Sequence, residues 1–179
     1  MIDELQLPAS VQAREDDIHI RRATSDDLDA VTRLLGDDAI SASRGDGVSD
    51  ANAAIYAAAL QRIIHSSGNE LIVALDSAGA VVGMLQLTVI PGISHLGRSR
   101  LLVEAVRVAS TERSSGIGGA LMRWVMDRAT QETGAPLVQL TSHGERTDAH
   151  RFYTRLGFAD SHVGFKYDAH RGSTAEHAG

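Results

Sequence analysis

The chain has 179 residues, 43% of them hydrophobic, with no cysteine and a formal net charge of −6. That length fits one compact domain, and the missing cysteines exclude disulfides and thiolate metal sites. The acidic balance argues against a general nucleic-acid binder, whose affinity rests on phosphate neutralisation. No run of about eighteen apolar residues is present to span a bilayer. The opening "MIDELQLPASVQAREDD" has no apolar signal region. A cytoplasmic protein without nucleic-acid or membrane partners is the expectation.

Residues 1–17 are polar and unpatterned and read as a mobile tail. "IHIRRA" (18–23) predicts a short strand. "TSDDLDAVTRLLGDD" opens with Thr24 or Ser25 as an N-cap and places Leu28, Val31, Leu34 and Leu35 at helical spacing. "ISASRGDGVSD" is a loop, in which Ser43–Gly47 either shapes an acceptor pocket or is simply flexible; the second is the plainer account. The alanine-rich stretch 51–65 predicts a helix. "NELIVALD" and "AVVGMLQLTVI" predict a hairpin across the turn "SAG". After the loop "PGISHLGRSR", "LLVEAVRVA" (101–109) predicts a strand rich in β-branched residues.

"GIGGALMRWVMDRATQETG" carries the strongest helical pattern. Ile117, Ala120, Leu121, Trp124, Val125 and Ala129 share a face, and Gly134 ends it. "PLVQLTS" predicts a strand, and "DAHRFYTRLGF" a short helix stopped by Gly157. "FADSHVGFKYD" predicts one or two further strands. Residues 169–179 read as a second mobile tail. The order β-α-α-β-β-β-α-β-α-β, with a strand–helix–strand unit at its centre, predicts an α/β (α+β) domain with a mixed sheet over residues 18–168.

The stretch "ERSSGIGGAL" joins the strand 101–109 to the strongest helix. A helix start leaves backbone N–H groups unpaired and is the positive end of the helix dipole, so it suits an anion. Gly116 and Gly118 would admit a phosphate without a Cβ in the way. Arg113 could add charge-assisted hydrogen bonds, and Ser114 and Ser115 offer hydroxyls. The loop lacks the Lys of a nucleotide P-loop and the spacing of a dinucleotide loop. From the loop alone, anion binding and mere close packing stand level.

The motif Arg113-x-x-Gly116-x-Gly118 is followed roughly thirty residues on by "AHRFYTRLGF". This pairing resembles the GNAT superfamily of acyl-CoA-dependent N-acetyltransferases. The resemblance implies a mixed, mostly antiparallel twisted sheet with flanking helices. It implies acetyl-CoA as acyl donor, a small-molecule or peptide amine as acceptor, no metal, and a homodimer. It implies that Arg113, Ser114, Ser115, Gly116, Ile117, Gly118 and Gly119 cradle the donor pyrophosphate. Val106, Arg107 and Val108 would pair their backbone with the pantetheine arm. Ser114 stands where a glycine is usual in the family, and Arg146 where an asparagine is common.

Amine acetylation requires a base for the amine, polarisation of the thioester carbonyl, and an acid for the departing thiolate. Tyr153 sits where the superfamily often has the tyrosine that protonates the thiolate. Its phenol is a hydrogen-bond donor with a high unperturbed pKa. By pattern alone it would be a core aromatic with Ala149, Phe152 and Leu156. Glu104 is the candidate base. It lies among apolar residues mid-strand, where a buried carboxylate would have a raised pKa. A structural ion pair with an arginine is the competing account. Arg107 is not the expected partner, since odd spacing sends it to the other face. His143 and His150 have no common zinc spacing and read as loop histidines. The functional expectation is direct transfer of acetyl from acetyl-CoA to a primary amine in a ternary complex. A non-catalytic acyl-CoA-binding or regulatory module on the same fold is the alternative.

Overall fold

The structure, a computed structural model, describes residues 1–14, 16–37, 50–167 and 169. It divides into two compact units, Met1–Leu140 and Thr141–Gly179.

The first unit is built on a six-stranded sheet in sequential order. Its strands are β1 (Ala9–Gln12), β2 (Asp17–Arg22), β3 (Asn69–Leu75), β4 (Val81–Ile90), β5 (Arg100–Val108) and β6 (Leu137–Leu140). Every neighbouring pair is antiparallel except β5 and β6, which are parallel. A parallel pair needs a crossover. Here the crossover holds α3 (Ile117–Trp124), which runs on through a π-helical stretch Val125–Ala129 into a last turn Thr130–Thr133. Gly134 closes that helix at φ 67°, a left-handed value that glycine adopts without strain. This is the mixed, mostly antiparallel architecture expected from the sequence.

Helices cover both faces of the sheet. On one, α1 (Leu28–Gly36) and α2 (Asp50–Ile64) bury Val31, Leu34 and Leu60 against Leu71, Val73 and Met84. On the other lies α3. A Cβ placed on Gly83 would come within 3.2 Å of the Ile117 side chain and 3.5 Å of that of Leu121. Gly83 and Met84 are adjacent in a strand and so point to opposite faces. Leu85, Leu87, Leu101, Leu121 and Val125 are fully buried.

Entry into α1 is fixed by polar contacts. The Asp27 carboxylate accepts the Thr24 N–H at 2.7 Å and both Arg21 guanidinium nitrogens, Nη1 at 2.7 Å and Nη2 at 2.8 Å. These bonds hold Asp27 below its ordinary carboxylate range despite burial, the Arg21 hydrogen bond contributing most. The Arg21 guanidinium is correspondingly raised, first by that same bond.

Two expectations differ from what is found. Of residues 1–17, read as a tail, 1–14 form an arm. Ile2 and Leu5 are buried, and β1 adds a strand to the sheet. The Arg22 guanidinium donates to the carbonyls of Asp3 and Leu5, at 3.3 and 3.2 Å, and Glu132 accepts the Gln6 N–H at 2.9 Å. These anchors lie far along the chain, so no local pattern announces them. Second, residues 158–167 hold no strand, although Val163, Phe165 and Tyr167 alternate as a strand would; all three are exposed. Alternation creates a candidate face, but a strand also needs a ladder partner. Within the loop read at 91–100, Ser94–Gly97 forms a tight turn with His95 and Leu96 at positive φ. The loop 43–47 lies outside the described residues.

The second unit carries α4 (Thr147–Arg155), whose C-terminal turn ends at Gly157, φ 95°.

Candidate active site

The site is organised by an irregularity in β5. Gly83 pairs with Val108 and Met84 with Arg107, but Gln86 pairs with Glu104. Leu85 is therefore opposed by two residues, Ala105 and Val106, and Ala105 takes φ 49°. Such a β-bulge reverses which face each later residue occupies. Glu104 and Arg107 consequently share the face of Gln86 and Met84. This corrects the simple alternation by which Arg107 was assigned to the opposite side.

Glu104 is exposed on that face, which corrects the expectation of a buried carboxylate. Among the described residues it makes no side-chain hydrogen bond or ion pair. Thus the arginine-pair account has no support in the contacts. Beside it runs a polar row. Asn69 Oδ1 accepts from Thr88 Oγ1 at 2.5 Å and from Gln86 Nε2 at 3.5 Å, and Asn69 Nδ2 donates to Ser66 Oγ at 2.8 Å. Sequence reasoning missed this row, because nothing local tells that Gln86 faces Glu104.

The second feature is the stretch of β5 that outruns its ladder to β6. The β5–β6 ladder runs from Arg100 with Leu137 to Val103 with Leu140 and stops. From Glu104 onward β5 keeps its pairing with β4 but has no ladder to β6. Val106, Arg107 and Val108 lie on this stretch, where an extended ligand could add to the sheet. The Arg107 side chain donates to the Val106 carbonyl at 2.8 Å.

The third feature is the glycine loop, to which β5 leads. Ser114 takes φ 76° and Gly116 φ 92°, so the chain turns twice through left-handed backbone before Ile117 opens α3. The Gly116 N–H has no acceptor among the described residues, and the first helical N–H groups have no intrahelical partner. Together they form a cradle suited to an anionic group. The Ser115 hydroxyl donates to the Glu112 carbonyl at 2.6 Å. Arg113 is tethered as well, donating from Nη2 to the Asp37 carbonyl at 2.8 Å. Asp37 Oδ2 accepts the Ser110 N–H at 2.5 Å, so the end of α1 fastens the loop entrance. A cleft lined by Arg33, Leu34, Asp37, Ala109, Ser110 and Thr111 adjoins these contacts.

One glycine is explained differently from the sequence reading. A Cβ on Gly116 would meet not open space but Arg14, at 2.9 Å from its backbone N. On Gly119 a Cβ would lie 3.1 Å from Arg123 Nη1, the far end of a flexible side chain.

In the second unit, the Tyr153 ring packs edge-on against Phe152 and Phe158, with centroids 5.1 and 5.8 Å away. Tyr153 and Phe152 are half-buried and no residue of α4 is buried, so the core-aromatic account does not hold for this helix. Arg146 is the N-cap of α4, and His150 Nε2 lies 2.9 Å from the His143 carbonyl oxygen. Among the described residues, no three of His, Cys, Asp and Glu are grouped to hold a metal. No described helix is long and apolar enough to cross a membrane.

A mixed sheet whose β5 runs on past its ladder to β6 thus leads through a glycine turn into α3, and the comparisons place this arrangement among acetyl-transferring enzymes. Residues 37–158 match the acetyltransferase (GNAT) family model, and the chain belongs to that family. An aminoalkylphosphonate N-acetyltransferase from Salmonella typhimurium is 38% identical over 87 residues, 49% of this chain and 55% of the relative. The match therefore spans about half the length of that relative. A crystal structure described as a transcriptional regulator from Bacillus halodurans C-125 is 38% identical, with a TM-score of 0.78 over 84% of this chain and 99% of the other. An acetyltransferase from Trypanosoma brucei is 25% identical, with a TM-score of 0.63 over 85% and 99%.

Proposed function

We propose that the protein is an N-acetyltransferase that moves an acetyl group from acetyl-CoA to a primary amine by direct attack. Residues 18–168 act as one acetyltransferase domain; the family match, which runs through both units, supports this. The observation that carries the reading is that β5 runs on from Glu104 to Val108 beyond its ladder to β6, among the described residues, and leads to the cradle at Gly116. The pantetheine arm would pair with the backbone of Val106–Val108, and the pyrophosphate would take the N–H groups of Gly116–Gly119 with charge from Arg113.

In the reaction the amine nitrogen attacks the thioester carbonyl carbon. Glu104, directly or through a water, accepts the amine proton. The carbon–sulfur bond breaks as the tetrahedral intermediate collapses, and the thiolate takes its proton from the Tyr153 phenol. An exposed carboxylate with no ion-pair partner keeps its basic oxygens available to a substrate, which supports Glu104 in this role.

The acceptor is a small-molecule or peptide amine. The Salmonella relative makes aminoalkylphosphonates the first class to try. A second reading, a non-catalytic acyl-CoA-binding module, draws its support from the Bacillus halodurans neighbour described as a transcriptional regulator. The discriminating experiment incubates the protein with acetyl-CoA and a panel of amines, aminoalkylphosphonates included, and measures free thiol. Acceptor-dependent release supports the enzyme. Tight acetyl-CoA binding with no release from any acceptor supports the binding module.

A further inference from the structure

The N-terminal arm ends on the glycine loop. The Arg14 N–H donates to the Ser115 carbonyl at 3.0 Å, and Arg14 Nη1 donates to the Ser114 carbonyl at 3.3 Å. These contacts join residues a hundred positions apart. The arm is itself fixed elsewhere, by buried Ile2 and Leu5, by the β1–β2 ladder, and by the bonds from Arg22 and to Glu132. It is therefore an anchored strut that reaches the loop.

A trans peptide is planar, and its C=O and N–H point in opposite directions. Holding the Ser115 carbonyl on the arm side aims the N–H of the same peptide unit, that of Gly116, to the other side. Holding the Ser114 carbonyl does the same for the Ser115 N–H, which accordingly reaches the Glu112 carbonyl at 3.3 Å. The left-handed backbone at Ser114 and Gly116 is the conformation these bonds maintain. Glycine at 116 is required by the strut as much as by φ, since any Cβ would strike Arg14.

We propose that Arg14, at the end of the arm, is a positioning residue of the donor site: it orients the Gly116 N–H toward the donor pyrophosphate. This rests on the reading of the loop as the pyrophosphate cradle. The arm lies outside the region 37–158 that matches the family model.

The test measures dissociation constants of the full chain for coenzyme A and for pantetheine, which has no pyrophosphate, alongside melting temperature. Arg14→Ala removes the guanidinium bond; Arg14→Pro also removes the N–H donor. Arg14→Pro is expected to bind coenzyme A about tenfold more weakly, with pantetheine affinity unchanged. Arg14→Ala falls between it and the wild type, and Arg14→Lys recovers part of the loss. Wild-type coenzyme A affinity in both Arg14→Ala and Arg14→Pro overturns the proposal and leaves the cradle reading intact. Equal losses for coenzyme A and pantetheine also overturn it, because they indicate general disruption. A wild-type chain that binds no coenzyme A overturns the cradle reading itself, and this proposal with it.

Discussion

Arg107 lies on the same sheet face as Glu104, three residues away, because Ala105 and Val106 together oppose Leu85. Ala105 takes φ 49° to make this possible. A β-branched side chain is strongly disfavoured there. Ala105→Val should cost about 2 kcal/mol of stability, whereas Ala105→Gly should be neutral or stabilising. Denaturant unfolding of the two variants measures both. Equal stability of all three proteins would show that the bulge is not held as described.

Glu104 is exposed and unpaired among the described residues, so its role is separable from folding. Glu104→Gln should leave the melting temperature within about 2 °C of wild type, because surface changes seldom exceed about 0.5 kcal/mol. Turnover should fall about a hundredfold and recover in part at higher pH, as the free amine becomes more abundant. A fully active variant would remove Glu104 from the mechanism.

Tyr153 is packed against Phe152 and Phe158. Tyr153→Phe keeps that packing and deletes only the hydroxyl. Turnover should drop by about a hundredfold, with acetyl-CoA affinity changed less than about threefold. Unchanged turnover would rule out the phenol as the acid.

Asp27 titrates below its ordinary value, 3.8, chiefly because Arg21 bonds it on both oxygens. As pH falls, the unfolded chain takes up the Asp27 proton before the folded chain does. Stability therefore rises with pH through this range. The contribution is complete above about pH 5 and is lost as pH falls through the folded value. Asp27→Asn should cost about 2 kcal/mol at neutral pH and flatten the acid limb of the stability profile. An unchanged acid limb would contradict the assignment.

The helices and core strands were legible because their signals are local. Val31 and Leu34 at helical spacing are buried, as are Ile117, Leu121, Trp124 and Val125. The glycine loop and "AHRFYTRLGF" likewise carried the family on adjacent residues. What could not be read depends on chain segments far apart. The bulge at Ala105 follows from the register of β4 on β5, so alternation within β5 misplaced Arg107 and buried Glu104 on paper. The arm's only periodic signal is the short alternation over Ala9–Gln12; its order comes from Arg22, Glu132 and the glycine loop. Conversely, Val163, Phe165 and Tyr167 alternate faithfully and still form no strand, because alternation does not supply a partner.

The most direct test of direct acetyl transfer follows the acetyl group itself. The protein is mixed with acetyl-CoA alone, then with an accepted amine, and both protein and amine are weighed by mass spectrometry. The account predicts no acetylated protein in the first mixture and an N-acetylated amine only when both substrates are present. An acetyl-protein that forms without acceptor and then passes its acetyl to the amine would contradict it.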